Sequence, residues 1–122
     1  MRTAKRVLVV DDELGIRILL SETLEMEGFD VSVAEDGQDS LEQMEGGNFD
    51  LVITDLRMPR IDGIEMIQRM RASGRKEKVI VLTGSPMSES ALSRSVPSDV
   101  VQLTKPIGMA SLMEVVATTI SD

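Results

Sequence analysis

Five short apolar runs, separated by segments with helical spacing, most constrain how this chain can fold. The runs are "VLVV" (7–10), "VSVA" (31–34), "LVIT" (51–54), "VIVL" (79–82) and "VVQL" (100–103). Four of them are rich in valine or isoleucine with little polar alternation, which is typical of strands covered on both faces of a parallel sheet. We therefore expect five parallel strands at the centre of the fold.

The segments between these runs predict helices. The first carries apolar residues four apart and a glycine suited to a left-handed cap, namely Ile16, Leu20, Leu24 and Gly28. The second contains Leu41 and Met44 and is expected to stop at Gly46 and Gly47. The third begins with a capping-box signal, "DGIE" (62–65). The last has a broad apolar stripe, formed by Met109, Leu112, Met113, Val116 and Ile120.

The segment from Met87 to Arg94 is a weaker helix prediction. Serine crowds this region, and its side chain competes with the helix by bonding to the local backbone. We expect a short, labile helix here.

This alternation predicts an α/β fold, a (βα)5 doubly wound parallel sheet that occupies residues 1–122 as a single domain. Right-handed crossovers place the helices on both faces of the sheet. The common flavodoxin-like strand order is 2-1-3-4-5, which sets strands 1 and 3 side by side. A functional crevice is then expected beyond the carboxyl ends of these two strands.

Composition excludes several classes of function. The net charge of -8 opposes direct nucleic-acid binding and association with anionic membranes, and no apolar run approaches the ~20 residues of a membrane span. Aromatic residues are limited to Phe29 and Phe49, which disfavours binding by stacking. The chain lacks cysteine and histidine, so thiol and imidazole chemistry are excluded. A cytoplasmic protein is expected.

Polar side chains stand at the predicted carboxyl ends of four strands: Asp11 and Asp12, Asp55, Thr83, and Lys105. Three neighbouring carboxylates repel one another, and a divalent cation relieves this. An oxygen-only ligand set selects magnesium or calcium over zinc, and few carboxylates completed by water are typical of Mg²⁺. Lys105 and Thr83 would contact the oxygens of a phosphoryl group, while Asp55 is placed to be the nucleophile.

Together these motifs resemble the receiver domain of two-component response regulators, the family that includes the chemotaxis regulator. "VLVVDDE" (7–13) is similar to its acidic first-strand motif, and "DLVITDLRMPRIDG" (50–63) to the segment around its phosphoacceptor. "VLTG" (81–84) and "LTKP" (103–106) resemble its threonine and lysine motifs. The resemblance spans essentially the whole chain.

The resemblance implies a role for each site residue. It assigns phosphoryl acceptance to Asp55, Mg²⁺ binding to Asp11, Asp12, Asp55 and the backbone carbonyl of Arg57, a switch hydroxyl to Thr83 and the conserved cation to Lys105. The phosphodonor would be a histidine kinase or a histidine phosphotransfer protein. Phosphorylation would alter the face formed by helix 4, strand 5 and helix 5, and so signal to an unknown downstream protein or to a fused output domain. Such a domain is a signalling switch that takes part only in its own phosphorylation and dephosphorylation.

The chain departs from the family pattern at the position three residues before the lysine. Relatives usually carry tyrosine or phenylalanine there, and this chain has Gln102. Gln102 is either an ordinary exposed strand residue or part of a specialised output surface. The connection before strand 5 is also unusual, since "SVPSD" (95–99) replaces the family's Gly-Ala.

Two further positions are candidate modulators of phosphate lifetime. Arg57 and Ser85 lie two residues beyond Asp55 and Thr83, where side chains flank the route of attacking water. A long Arg57 side chain would shield an acyl phosphate, or would face solvent without kinetic effect.

Three other functions are compatible with parts of this sequence. A degenerate receiver would bind a partner without phosphorylation, although retention of the whole motif set argues against it. A Mg²⁺-dependent phosphatase with an aspartyl-phosphate intermediate would need a second acid where Arg57 stands. A flavin carrier of the same topology would need a phosphate-binding loop where Asp11, Asp12 and Glu13 lie.

Overall fold

The computed structural model describes residues 4–121 and contains one five-stranded parallel sheet in the order β2-β1-β3-β4-β5. The strands are β1 (Arg6–Val10), β2 (Asp30–Ala34), β3 (Leu51–Thr54), β4 (Lys78–Thr83) and β5 (Val101–Thr104). The helices are α1 (Leu14–Met26), α2 (Gly37–Glu45), α3 (Gly63–Ala72), α4 (Glu89–Ser95) and α5 (Met109–Ile120). The predicted fold class and strand order are confirmed. Residues 1–3 and 122 of the predicted domain lie outside the described part.

Alternate residues of each central strand face two separate apolar clusters, because successive side chains of a strand point to opposite faces. Val7 and Val9 pack with residues of α1 and α5, such as Leu20 and Leu112. Leu8 packs on the opposite side with α2 and α3, in a cluster that includes Val10, Met44, Val52, Met66, Ile67, Met70, Val79 and Val81. Residues of β1, β3 and β4 are buried almost throughout, as their continuous apolar runs predict.

The two edge strands differ from the prediction that strands are covered on both faces. β2 has exposed or half-buried residues at four of its five positions, and β5 has no fully buried residue among Val101–Thr104. Each edge strand has one strand neighbour instead of two. Apolar composition therefore predicted the strands but not their degree of burial.

Helix ends follow local sequence signals closely. α1 is followed by Gly28 at φ 95, and α2 is capped by Gly46. The Asp62 side chain accepts a hydrogen bond from the backbone N–H of Glu65, so the start of α3 is as predicted. A capping box also requires the Glu65 carboxylate to accept from the N–H of Asp62, and that part of the prediction was wrong, because Glu65 pairs with Arg69 instead.

The fourth helix begins two residues later than predicted, because Ser88 is its N-cap and Met87 lies in the preceding loop. The helix is seven residues long, and none of its residues, all of which are described, is fully buried. Within residues 4–121, no helix is long and apolar enough to cross a membrane.

An ion pair that the sequence did not predict joins the loop after β3 to the start of α2. Arg60 donates two hydrogen bonds to the Asp36 carboxylate, at 2.7 and 2.8 Å, and Asp36 also caps α2 through the N–H of Asp39. Arg60 has a φ of 66, a conformation that costs a non-glycine residue on the order of 1–3 kcal/mol. The hydrogen bond from Arg60 holds the pKa of Asp36 below its ordinary value, even though burial acts to raise it. The pair offsets the strain at Arg60.

We expect Arg60→Met to lower the free energy of unfolding at pH 7, and by more than the control described below, because the Asp36 side chain, 6% exposed, loses its partner. The pKa of Asp36 is lowered in the folded state, so the stabilisation is complete above the ordinary aspartate pKa of about 3.9 and is lost as pH falls through the folded-state pKa. Urea unfolding at pH 7 and pH 3 measures both effects.

Arg69→Met is the matched control for this change. The Arg69 side chain is 54% exposed against 55% for Arg60, but its partner Glu65 is 47% exposed. Exposed pairs contribute little, so we expect a loss below about 0.5 kcal/mol. Equal losses in the two variants would contradict the proposed importance of the Asp36 pair.

Candidate functional site

Backbone hydrogen bonds that extend the sheet fix the positions of the polar residues at its carboxyl edge. The N–H of Asp55 donates to the carbonyl of Val10 at 3.1 Å, and that of Lys105 donates to the carbonyl of Thr83 at 2.8 Å. Asp11 bonds in the same way to the last residue of β2 at 3.1 Å. Asp11, Asp55 and Lys105 therefore directly follow three strands, while Thr83 is the last residue of β4 rather than the residue after it.

Lys105 forms the central ion pairs of this edge. Its Nζ lies 3.0 Å from Oδ2 of Asp11 and 3.2 Å from Oδ2 of Asp55, with side-chain exposures of 18% for the lysine, 4% for Asp11 and 12% for Asp55. Burial alone would lower the pKa of Lys105, but hydrogen bonds and charges from the two carboxylates outweigh it and raise that pKa above its ordinary value. The lysine is therefore held in its charged form.

Three carboxylates form a cluster that suits a divalent cation. One oxygen each from Asp11, Asp12 and Asp55 can be chosen so that all three lie within 4.8 Å of one another. Three carboxylates and a single lysine leave this group two negative charges in excess, and the ligands are all hard oxygen atoms. The donor set therefore fits Mg²⁺ or Ca²⁺.

The loop that carries Asp55 is held by local contacts. Oδ1 of Asp55 accepts a hydrogen bond from the N–H of Leu56 at 2.6 Å, and the N–H of Arg57 lies 3.4 Å from the same oxygen. Gly63 packs directly on the carbonyl of Asp55, so that a Cβ at this position would collide with the backbone. Glycine thus lets α3 begin against the loop.

A cavity of about 320 Å³ opens beside the carboxylates. It is lined by Asp12, Glu13, Asp55, Arg57, Thr83, Gly84, Ser85 and Lys105. The Thr83 side chain is buried, and its Oγ1 accepts a hydrogen bond from the N–H of Ser85 at 3.1 Å. The sequence-predicted residues Asp12, Asp55, Thr83 and Lys105, with both candidate modulators, therefore surround one space, while Asp11 lies outside its lining and reaches the site through its contact with Lys105.

Gln102 lies apart from this cavity, half-buried on β5, and it is not the ordinary exposed strand residue that was one interpretation. Its side-chain amide contacts the backbone of Met87 through two hydrogen bonds, at 2.8 and 3.1 Å. The glutamine that stands in place of the usual aromatic residue therefore makes a specific contact with the loop before α4.

Arg17 is a contributor that sequence reasoning missed. Its Nη1 donates to the backbone carbonyl of Asp11 at 2.7 Å, while the Oδ1 of Asp11 accepts from the N–H of Glu13 at 2.9 Å. These two bonds fix Asp11, one from α1 and one from the residue that caps it. The sequence signal that could have identified it is the place of Arg17 in the first turn of α1, six residues after Asp11.

Comparison with known proteins identifies the family. A model of the response regulator receiver domain matches residues 7–117, and the chain belongs to this family. Response regulator MprA of Mycolicibacterium vanbaalenii is 33% identical over 109 residues, which are 88% of this chain and 47% of MprA. Sporulation initiation phosphotransferase F of Bacillus subtilis is 38% identical over 79 residues, 65% of this chain and 64% of that protein. The chain thus spans about half the length of MprA.

Solved structures show the same fold. The response regulator TrrA of Thermotoga maritima, in complex with Mg²⁺-BeF, has a TM-score of 0.82 at 38% identity and covers 94% of this chain and 98% of TrrA. A CheY-like receiver domain from Methanospirillum hungatei has a TM-score of 0.87 at 25% identity, with coverage of 98% and 95%. The similarity therefore extends over almost the whole of both chains.

We expect Lys105→Met to lower the free energy of unfolding by about 1–3 kcal/mol in metal-free buffer, because Asp11 and Asp55 would lose their shared cation. Far-UV circular dichroism during urea unfolding measures this in a chain without tryptophan or tyrosine. Lys76→Met, at an exposed lysine, is the control and should change stability by less than about 0.5 kcal/mol. Similar stability of the two variants would disprove the bridging role of Lys105.

Proposed function

We propose that this receiver domain is a phosphorylation-dependent switch whose phosphoacceptor is Asp55. The observation that carries the proposal is the contact of Lys105 with both Asp11 and Asp55, since it places a cation and a nearby acidic pair around one accessible carboxylate. The cavity beside Asp55 supplies room for a phosphoryl group. The name of the phosphotransferase relative agrees with phosphoryl transfer.

The transfer step follows from the chemistry of the carboxylate. An oxygen of Asp55 forms a bond to the phosphorus of the donor as the bond from phosphorus to the donor's imidazole nitrogen breaks. The released imidazole takes up a proton from solvent. In this proposal Lys105, which contacts Asp55, pairs with an oxygen of the new acyl phosphate, and the hydroxyl of Thr83, which lines the same cavity, donates a hydrogen bond to another.

We propose that Asp11, Asp12 and Asp55, with the backbone carbonyl of Arg57, hold Mg²⁺. When bound, the cation would offset the carboxylate charge and polarise phosphoryl oxygens. Independently of the metal, Arg17 orients the backbone at Asp11, and the Leu56 N–H orients the Asp55 carboxylate.

The proposed phosphodonor is a histidine kinase or a histidine phosphotransfer protein, as receiver domains of response regulators receive phosphate from histidine kinases. Residues 1–122 are proposed to act as one receiver unit in the cytoplasm. The proposed recipients of the signal are a downstream protein or an output domain, reached through the face of α4, β5 and α5.

Incubation with acetyl phosphate and Mg²⁺ should add one phosphoryl group, detected by intact-mass analysis. Asp55→Asn should abolish the adduct, because the amide is not a nucleophile at neutral pH. Asp12→Asn should raise the Mg²⁺ concentration needed for half-maximal labelling about tenfold, because one ligand oxygen loses its charge.

Asp99→Asn is the matched control, since Asp99 is exposed and pairs with Arg71 away from the site. It should label like the wild-type protein. A wild-type protein that forms no adduct with any donor would overturn the proposed function and favour a phosphorylation-independent binding module.

We expect Arg57→Ala to shorten the half-life of the phosphorylated protein about fivefold, equivalent to about 1 kcal/mol of barrier. Arg57 lines the cavity beside Asp55, so truncation opens a path for water to the acyl phosphate. The decay of the intact-mass adduct measures the half-life. Arg69→Ala on α3 is the control, and an unchanged half-life in Arg57→Ala would show that the arginine does not shield the phosphate.

A further inference from the structure

The amide of Gln102 engages both polar groups of one residue in the loop between β4 and α4. Its Oε1 accepts a hydrogen bond from the Met87 N–H at 3.1 Å, and its Nε2 donates to the Met87 carbonyl at 2.8 Å. The two residues are 15 positions apart, and both are half-buried. We call this pair of bonds the Gln102 clasp.

The Gln102 clasp holds the loop between β4 and α4, and the β4 end of this loop carries the candidate site residues Thr83 and Ser85. Met87 lies four residues after Thr83, which lines the cavity beside Asp55, and directly before Ser88, the N-cap of α4. Ser85, between them, bonds to the Thr83 hydroxyl. A movement of Thr83 and Ser85 toward Asp55 would therefore pull on Met87, which lies only two residues beyond Ser85.

α4 offers little to hold this segment in place by itself. Its side chains are at most half-buried, with Leu92 packed against the neighbouring cluster. Its C-terminal end is contacted by Gln68, which donates to the Ser95 carbonyl at 2.9 Å. At the N-terminal end, the clasp ties the loop directly to the sheet.

We propose that Gln102 is a positioning residue that holds the β4–α4 loop in its unphosphorylated position and so limits how readily a phosphoryl group on Asp55 draws the loop inward. This proposal rests on the proposed function. Displacement of Met87 breaks two hydrogen bonds between neutral groups, so releasing the clasp should favour the displaced loop about tenfold. Removing Gln102 should therefore strengthen the response to a phosphoryl group.

The experiment compares the wild-type chain with Gln102→Leu and with Gln102→Met, which keeps the unbranched length without the amide. Beryllofluoride with Mg²⁺ serves as the phosphoryl mimic, and ¹⁵N NMR is the readout. The chain has four glutamines and one asparagine, so the Gln102 side-chain amide is readily assigned by its loss in the variants. Gln38→Leu is the control, because the Gln38 side chain bonds to Glu42 on α2.

Without the mimic, the Met87 amide should exchange about tenfold faster in both Gln102 variants than in the wild-type protein. On titration, both variants should bind beryllofluoride about tenfold more tightly, equivalent to about 1.4 kcal/mol, and Gln38→Leu should match the wild-type protein. The wild-type Gln102 side-chain amide signal should shift on binding as the clasp opens. The second folded variant keeps the test valid if one variant fails to fold.

Variants that bind the mimic as tightly as the wild-type protein, or less tightly, would overturn the clasp proposal, as would a Gln102 amide signal unchanged on binding. The proposed function would survive these results, because wild-type binding at Asp55 is observed in the same titration. If the wild-type protein binds no beryllofluoride and forms no adduct with acetyl phosphate, both proposals fail.

Discussion

The contact of Lys105 with Asp11 and Asp55 is the interaction on which the rest of the carboxyl edge depends. It joins residues 94 and 50 positions apart in the chain, and it becomes possible only when β1, β3, β4 and β5 pair in parallel. Burying a carboxylate such as Asp11 without a partner would be costly. The contact with Lys105 offsets part of that cost, so the strand order and the charge arrangement support each other.

The strands and the location of the site were predictable because both depend on short-range patterns. Apolar runs identify β1, β3 and β4, and in a parallel sheet the residues that end neighbouring strands share one edge. Edge-strand burial was not predictable, because it depends on what covers each strand. The positive φ of Arg60 was hidden as well, since arginine rarely adopts it and its partner Asp36 lies 24 residues away.

Gln102 shows a different limit of sequence reasoning. Its position in β5 was nearly correct, yet its role depends on the backbone of a loop 15 residues earlier in the chain. A glutamine side chain carries a donor and an acceptor. It can bond to both the N–H and the carbonyl of one residue only when that residue is outside a helix, where these groups are not already paired. The late start of α4 leaves Met87 in the loop and makes the contact possible.

The two walls of the cavity differ in mechanical stiffness. On the β3–α3 side, Gly63 abuts the Asp55 carbonyl, and the Arg60 ion pair braces the same loop against α2. On the β4–α4 side, the loop is restrained by hydrogen bonds between neutral groups and by packing of the half-buried Met87 and Leu92, and no residue of Glu89–Ser95 is fully buried. A force applied between a stiff wall and a compliant one deforms the compliant one. A new charge in this cavity would therefore displace the β4–α4 loop more than the β3–α3 loop, so the resulting movement has a fixed direction in the domain.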